Sequence, residues 1–210
     1  MLLDFNRTKK ILSDYKIPFC QTEIFKSKDK AVIFAEKIGY PVVLKISSQN
    51  IIHKIEMGGV KIGINNKEDF GKAWDEMLNN KGIKGKVEGF LVQKQVKGIE
   101  VIIGVKKDAQ FGPVLMFGLG GTFVEVFKDV SFRVAPIGLR EAKEMIKEIK
   151  GYEVFEGYRG REVVDTEKIA GIIVNLSSLS LARREIKEID FNPVITNGKE
   201  SLVCDAKIII

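Results

Sequence analysis

Thr8, Ile11, Leu12 and Tyr15 repeat at the three- and four-residue spacing of a helix that stops before Pro18. Ala31, Phe34, Ala35 and Ile38 form a second such face, which Gly39 ends. A third helix follows Asn66 and puts Phe70, Ala73, Trp74, Met77 and Leu78 on one side. At that spacing the single Trp belongs to a core rather than to a binding platform. Two more helices are predicted over residues 139–149 and 165–184. The second has Asp165 as N-cap and buries Ile169, Ile172, Ile173, Leu176 and Leu179. Between these stretches, residues 41–46, 60–64, 90–93, 100–105 and 113–117 read as strands. The fold class is therefore α+β. No internal repeat or low-complexity linker interrupts the chain, so its seam falls at the short polar stretch 94–98. Two α+β halves are expected, residues 1–95 and 96–210, with a ligand cleft where such halves meet.

The last hairpin carries the first chemistry. Its two arms, residues 188–193 and 203–207, flank Asn197-Gly198, a strong hairpin signal. If Thr196 faces Lys199 across that turn, Asp190 lies opposite Asp205 and Glu188 opposite Lys207. Alternation then puts Glu188, Asp190 and Asn192 on one face with Lys207, Asp205 and Val203. Ile189, Phe191, Pro193, Ile195, Leu202, Cys204 and Ala206 form the core face. Carboxylates facing each other across a ladder repel, and a divalent cation between them removes that cost. Oxygen donors without thiol or imidazole suit magnesium, held by one or two carboxylates together with substrate phosphates. A solvated face of an edge hairpin is the alternative reading, and a one-residue bulge would change the pairing.

Composition narrows the classes further. With 210 residues, 45% hydrophobic and 30% charged, the chain can bury a substantial core. No apolar run approaches the roughly 18 residues of a membrane span, so no membrane partner is expected. Residues 1–7 lack the features of a signal peptide, and Cys20 and Cys204 read as reduced, buried thiols. The expected compartment is the cytoplasm. Net charge is +6, yet Lys and Glu interleave and no basic run alternates with stacking aromatics. No nucleic-acid partner is expected; a polyanionic small molecule accounts for the sign.

Several nucleotide and hydrolase motifs are missing. Each Gly-Lys pair is followed by Ala73, Val87 or Glu200, which excludes a P-loop. Residues 118–123 lack the third glycine of a dinucleotide fingerprint. One histidine and two distant cysteines exclude a zinc site, and there is no Gly-x-Ser-x-Gly elbow.

Four features remain. Lys45 sits within Val42-Val43-Leu44-Lys45-Ile46, where an ammonium needs an anion such as a polyphosphate or a strand end from which to reach water. Gly58-Gly59 before Val60-Lys61 allows close backbone approach to phosphate, or simply makes a turn. Glu100 opens a very apolar strand, where a carboxylate can accept sugar hydroxyls. His53, the only histidine, lies in a polar loop beside Lys54, which favours a phosphoryl acceptor over a packing role.

These features come in the order found in ATP-grasp enzymes. Tyr40-Pro41-Val42-Val43-Leu44-Lys45, Ile51-Ile52-His53-Lys54, Gly58-Gly59-Val60-Lys61 and the stretch from Phe111 to Gly121 resemble the beta subunit of ADP-forming acetyl-CoA synthetase. Lys128-Asp129-Val130-Ser131-Phe132-Arg133, Asp190-Phe191-Asn192-Pro193 and Asp205-Ala206-Lys207 continue the match over essentially the whole chain. The resemblance implies an ATP-grasp fold of two α+β subdomains with ATP or ADP between them. It implies that Lys45 holds phosphates, that Gln93, Lys94, Gln95 and Val96 form the adenine-side hinge, and that Glu100 takes the ribose. Asn192 and Asp205, with Asp190 beside them, would be the Mg2+ ligands. His53 would shuttle phosphate between the nucleotide and a phosphohistidine on an alpha subunit that also carries the CoA-binding domain. The reaction implied is acyl-CoA + ADP + phosphate ⇌ acid + ATP + CoA.

The chain departs from that pattern at two places. Ile55, Glu56 and Met57 stand where the family carries Ser-Asp and a small residue, and Lys94-Gln95 stand where Glu-Met is common. Three other readings compete. A succinyl- or aryl-acyl-CoA ligase subunit would share the grasp half. A nucleotide-sensing regulatory subunit would keep Lys45 and Glu100 but gain nothing from His53 or the paired acids. A basic RNA-binding module predicts salt-sensitive binding without magnesium.

Overall fold

A computed structural model describes residues 1–48, 57–83, 87–121, 129–157 and 162–210. In chain order the elements are α1 (Phe5–Asp14), β1 (Thr22–Phe25), α2 (Lys28–Ile38), β2 (Val42–Ser47), β3 (Val60–Ile64), α3 (Lys67–Asn79) and β4 (Gly89–Lys94). There follow β5 (Ile99–Asp108), β6 (Gly112–Leu119), β7 (Val130–Val134), α4 (Leu139–Lys147), a 3₁₀ helix (Lys150–Glu156) and α5 (Thr166–Ala182). The described chain ends with β8 (Glu188–Thr196), β9 (Ser201–Val203) and β10 (Ala206–Ile209). They form two compact units, residues 20–96 and residues 1–19 with 97–210.

The smaller unit is an antiparallel sheet in the order β1-β4-β2-β3, with α2 and α3 on one face. Val42, Leu44 and Ile46 of β2 alternate into a core with Phe70, Trp74 and Met77 of α3. Trp74 is buried against Phe90, as its helical spacing predicts. Leu78, expected on the same face, is 50% exposed because the buried arc closes at Met77. Asn66 caps α3 by accepting from the Asp69 amide at 2.8 Å.

The larger unit is an antiparallel sheet in the order β10-β8-β5-β6-β7, with β9 also paired to β8. Helices α4 and α5 pack on each other and on β5, β6 and β7, covering one face. Residues 1–19, expected with the N-terminal half, belong to this unit. Ile11 and Leu12 of α1 join its core, Leu2 bridges to Ile209, and Phe19 bridges to Val203. Local periodicity identifies a helix but does not say which sheet it covers.

The C-terminal register differs from the expected one. Asn197 accepts from the amides of Lys199 and Glu200, at 2.8 and 3.0 Å, and its own amide donates to the Glu200 carbonyl. That longer loop slides the pairing by two residues. Thr196 faces Ser201, Asp190 faces Lys207, and Glu188 faces Ile209. The Asn192 amide donates to the Asp205 carbonyl at 3.2 Å. A two-residue slip keeps each side chain on its own face, so the acids stay together while their partners change. A bulge adds a second correction. Val101 pairs with Val194 but Ile103 pairs with Phe191, so Ile102 alone spans Asn192 and Pro193. Beyond it the core face passes to Val194 and Thr196, and Pro193 and Ile195 are only partly buried.

Candidate functional site

Val101, Ile103 and Val105 of β5 point into the helix-covered core. Glu100, Ile102, Gly104 and Lys106 therefore lie on the opposite face of the same strand. Gly104 pairs with Asp190. Glu100 and the acids of β8 and the β9–β10 junction thus share one face of one sheet. Gly120 secures Glu100 from below: its amide donates to the Glu100 carbonyl at 2.7 Å, and a Cβ there would meet Glu100 at 3.0 Å. A Cβ at Gly121 would lie 3.6 Å from the Glu100 carboxylate, so both glycines leave room for Glu100.

Burial holds the Asp190 carboxyl above its ordinary range, and the nearby charges of Asp205 and Glu188 push the same way. Lys207, directly opposite, pulls it back. Repulsion across the ladder is therefore partly offset by Lys207, and Asp205 is the diagonal neighbour of Asp190 rather than its partner. The donor set still fits a hard cation. Asp190 and Asp205 can supply carboxylates, and the exposed Asn192 an amide oxygen. Among the described residues, no group of three or more His, Cys, Asp or Glu is placed to hold a metal ion, so a cation here would rest on two carboxylates and an amide oxygen together with phosphate oxygens.

A cavity of about 410 Å³ opens on this face beside Asp190, walled by Lys106, Met116, Phe132 and Glu188. Sequence reading missed this wall. Phe132 is 53% exposed and sits with Val130 and Val134 on the outward side of β7. The intervening Ser131 points inward and donates to the Met145 carbonyl at 2.7 Å. Asp129 and Arg133 of that family-like stretch make structural bonds as well. Asp129 accepts from the amides of Lys150 and Gly151, at 2.8 and 2.7 Å, and Arg133 forks onto Glu148.

In the smaller unit Lys45 faces Leu91 on one side and Val60 on the other, within an interior strand. It is not at a strand end, and it lies on the face away from the core residues Val42, Leu44 and Ile46. Gln93 pairs with Val43, so it shares that face. Gln93 is buried, and its Nε2 donates to Thr22 Oγ1 at 2.8 Å. Lys94 turns elsewhere: its ammonium donates to the carbonyls of Gly39 and Tyr40, at 2.8 and 3.2 Å, at the C-terminal end of α2. Gln95 Oε1 accepts from the Gly63 amide at 2.8 Å, and the partly buried Val96 ends the unit. Gly58 has φ +69°, the conformation of a tight turn, which accounts for a glycine there. His53 and Lys54 lie outside the described residues.

A lysine on an interior strand of one unit, and carboxylates with an amide oxygen on one sheet face of the other, are each of a kind that suits phosphates or a hard cation. A family model described as an ATP-grasp domain matches residues 1–210. The beta subunit of acetate–CoA ligase (ADP-forming) I from Pyrococcus furiosus is 45% identical over 206 residues, 96% of this chain and 89% of the relative. Acetate–CoA ligase (ADP-forming) I from Archaeoglobus fulgidus is 44% identical, and this chain spans only 30% of its length. A dinucleotide-forming acetyl-coenzyme A synthetase from Candidatus Korarchaeum cryptofilum, solved with coenzyme A and Ca-AMPCP, superposes with a TM-score of 0.93. It is 43% identical and the match covers 100% of this chain and 93% of that one. The same enzyme with coenzyme A and Mg-AMPPCP, its phosphohistidine segment pointing towards the nucleotide binding site, gives 0.85 at 41% identity, over 99% and 92%. The chain therefore belongs to the ATP-grasp family, in the branch that contains the beta subunits of ADP-forming acetate–CoA ligases.

Cys20 and Cys204 are buried, and among the described residues no helix is long and apolar enough to cross a membrane.

Proposed function

We propose that this chain is the nucleotide-binding subunit of an ADP-forming acyl-CoA synthetase, catalysing acyl-CoA + ADP + phosphate ⇌ acid + ATP + CoA with a partner. The partner is an alpha subunit that binds CoA and carries a phosphohistidine. The observation that carries this reading is the shared face of Glu100, Asp190, Asn192 and Asp205, in a chain of this family. Glu100 accepts the ribose hydroxyls of ADP. Lys45, from the other unit, neutralises its phosphates. The side chains of Gln93, Lys94 and Gln95 are engaged within their own unit, so this hinge meets the base through Val96 and its main chain. Asn192 and Asp205, with Asp190, would hold Mg2+, which when bound neutralises charge on the phosphate oxygens.

Phosphate then moves in two exchanges. The P–N bond of the partner's phosphohistidine breaks as a nitrogen of His53 bonds to phosphorus. That new P–N bond breaks in turn as a terminal oxygen of ADP takes the phosphoryl group and completes ATP. The chain contributes position and electrostatics rather than acid–base chemistry. The cavity beside Asp190 supports this reading by leaving space for a phosphorylated imidazole next to the acidic face. Acyl choice rests with the partner. The test is reconstitution: this chain alone should form no ATP from acetyl-CoA, ADP and phosphate, and adding the alpha subunit should restore turnover. Full turnover by this chain alone would overturn the division of labour.

A further inference from the structure

The outward face of the large sheet carries its charges in two transverse rows. In one, Lys106 of β5 stands directly opposite Glu188 of β8, and their charged ends lie 3.9 Å apart. In the next, Gly104 of β5 and Lys207 of β10 flank Asp190 from either side. Glycine brings no charge, so the cation that faces Asp190 across a ladder is Lys207. Asp205 lies two residues before Lys207, and its carbonyl accepts from the Asn192 amide at 3.2 Å. Strand parity turns Asp205 outward with Lys207, because Ala206 and Ile208 pack on the core. Lys207 therefore stands beside both acids, while Lys106 answers Glu188.

Three carboxylates, of Asp190, Asp205 and Glu188, against the ammonium groups of Lys106 and Lys207 leave an excess of one negative charge. Lys207 is exposed, and its flexible four-carbon stem carries a compact point charge. Mg2+ that approaches alone meets the repulsion of that ammonium. Mg2+ that arrives with phosphates brings anions which the same ammonium attracts. One charge beside the acids thus acts with opposite sign on the two ligands.

We infer that Lys207 is a specificity-determining residue of this face: its charge disfavours bare Mg2+ and favours the cation together with a phosphate-bearing ligand. This rests on the reading of Asp190, Asn192 and Asp205 as the Mg2+ ligands. The test is Lys207→Gln in the full chain, which removes the charge and keeps much of the stem. Calorimetric titrations with Mg2+ alone, and with ADP in chelator, give the two affinities. Mg2+ alone should bind about fivefold more tightly, the scale of repulsion between a single and a double charge roughly 7 Å apart in a largely aqueous dielectric. ADP in chelator should bind more weakly, by a comparable factor. Lys207→Arg, which keeps the charge, should match the wild type with both ligands. A merely structural lysine would not give opposite changes, since a damaged fold weakens both. Unchanged or weaker Mg2+ binding in Lys207→Gln, or ADP binding that does not fall, would overturn this inference alone, with Asp205→Ala deprived of its Mg2+ response. A full Mg2+ response in Asp205→Ala would remove the ligand reading, and the inference with it.

Discussion

Asp190 stands across the ladder from Gly104, four residues beyond Glu100 on the same face of β5. At about 3.3 Å per residue the two carboxylates are roughly 13 Å apart along the strand. On the proposed reading, Glu100 serves the sugar end of the nucleotide and Asp190 its phosphate end. Replacing Glu100 with Ala should weaken ADP binding about tenfold or more, the scale of a hydrogen bond to a charged group. Calorimetric titration should also show that the variant no longer distinguishes ADP from its 2′,3′-dideoxy analogue. Undiminished discrimination would remove Glu100 from the ribose.

Lys45 makes a complementary prediction on the other sheet. Lys45→Gln removes the charge but keeps much of the stem that packs between Leu91 and Val60. It should weaken ADP and ATP while leaving adenosine unaffected. Equal losses for all three ligands would mean that the residue supports the fold rather than the phosphates.

The carboxylates predict a metal-linked stability. Mg2+ with ADP, at a hundredfold excess over the dissociation constant, should stabilise the chain by about 2.7 kcal/mol by mass action. A chelator should abolish most of that gain in a thermal melt. Asp205→Ala and Asn192→Ala should lack the magnesium-dependent part while melting normally without ligand. A full magnesium response in both variants would place the cation elsewhere.

Much of this arrangement was legible in the residues, and the failures have physical causes. Helix α3 shows its buried stripe because Phe70, Ala73, Trp74 and Met77 recur at one period. Strand β7 hides its own, since Ser131 points inward, satisfied by the Met145 carbonyl, while Phe132 points outward. Alternation read from polarity alone therefore gives no strand there. Asn197-Gly198 correctly marks a turn, but the Asn197 side chain captures two amides and lengthens the loop. Parity kept Asp190 on its expected face while its partner changed from Asp205 to Lys207. The Lys94 ammonium bonds the carbonyls that end α2, a long-range contact that no local pattern announces.

Asp129 offers a stability test that is separate from function. Its two oxygens satisfy two amides at the start of the 3₁₀ helix. Asp129→Ala should cost about 1–2 kcal/mol, lowering the melting midpoint by roughly 2–8 °C for a chain of this size. ADP affinity should be unchanged at a temperature where the variant is folded. A selective loss of ADP affinity without destabilisation would assign Asp129 to the site instead.

The most direct measurement follows the phosphate itself. The complex with the alpha subunit is incubated with radiolabelled ATP and Mg2+, quenched in alkali, and separated by subunit. The account predicts an acid-labile, base-stable label on this chain as well as on its partner. In His53→Ala the label should disappear from both subunits while ADP still binds. Label that reaches the partner in the His53→Ala complex, without ever residing on this chain, would contradict it.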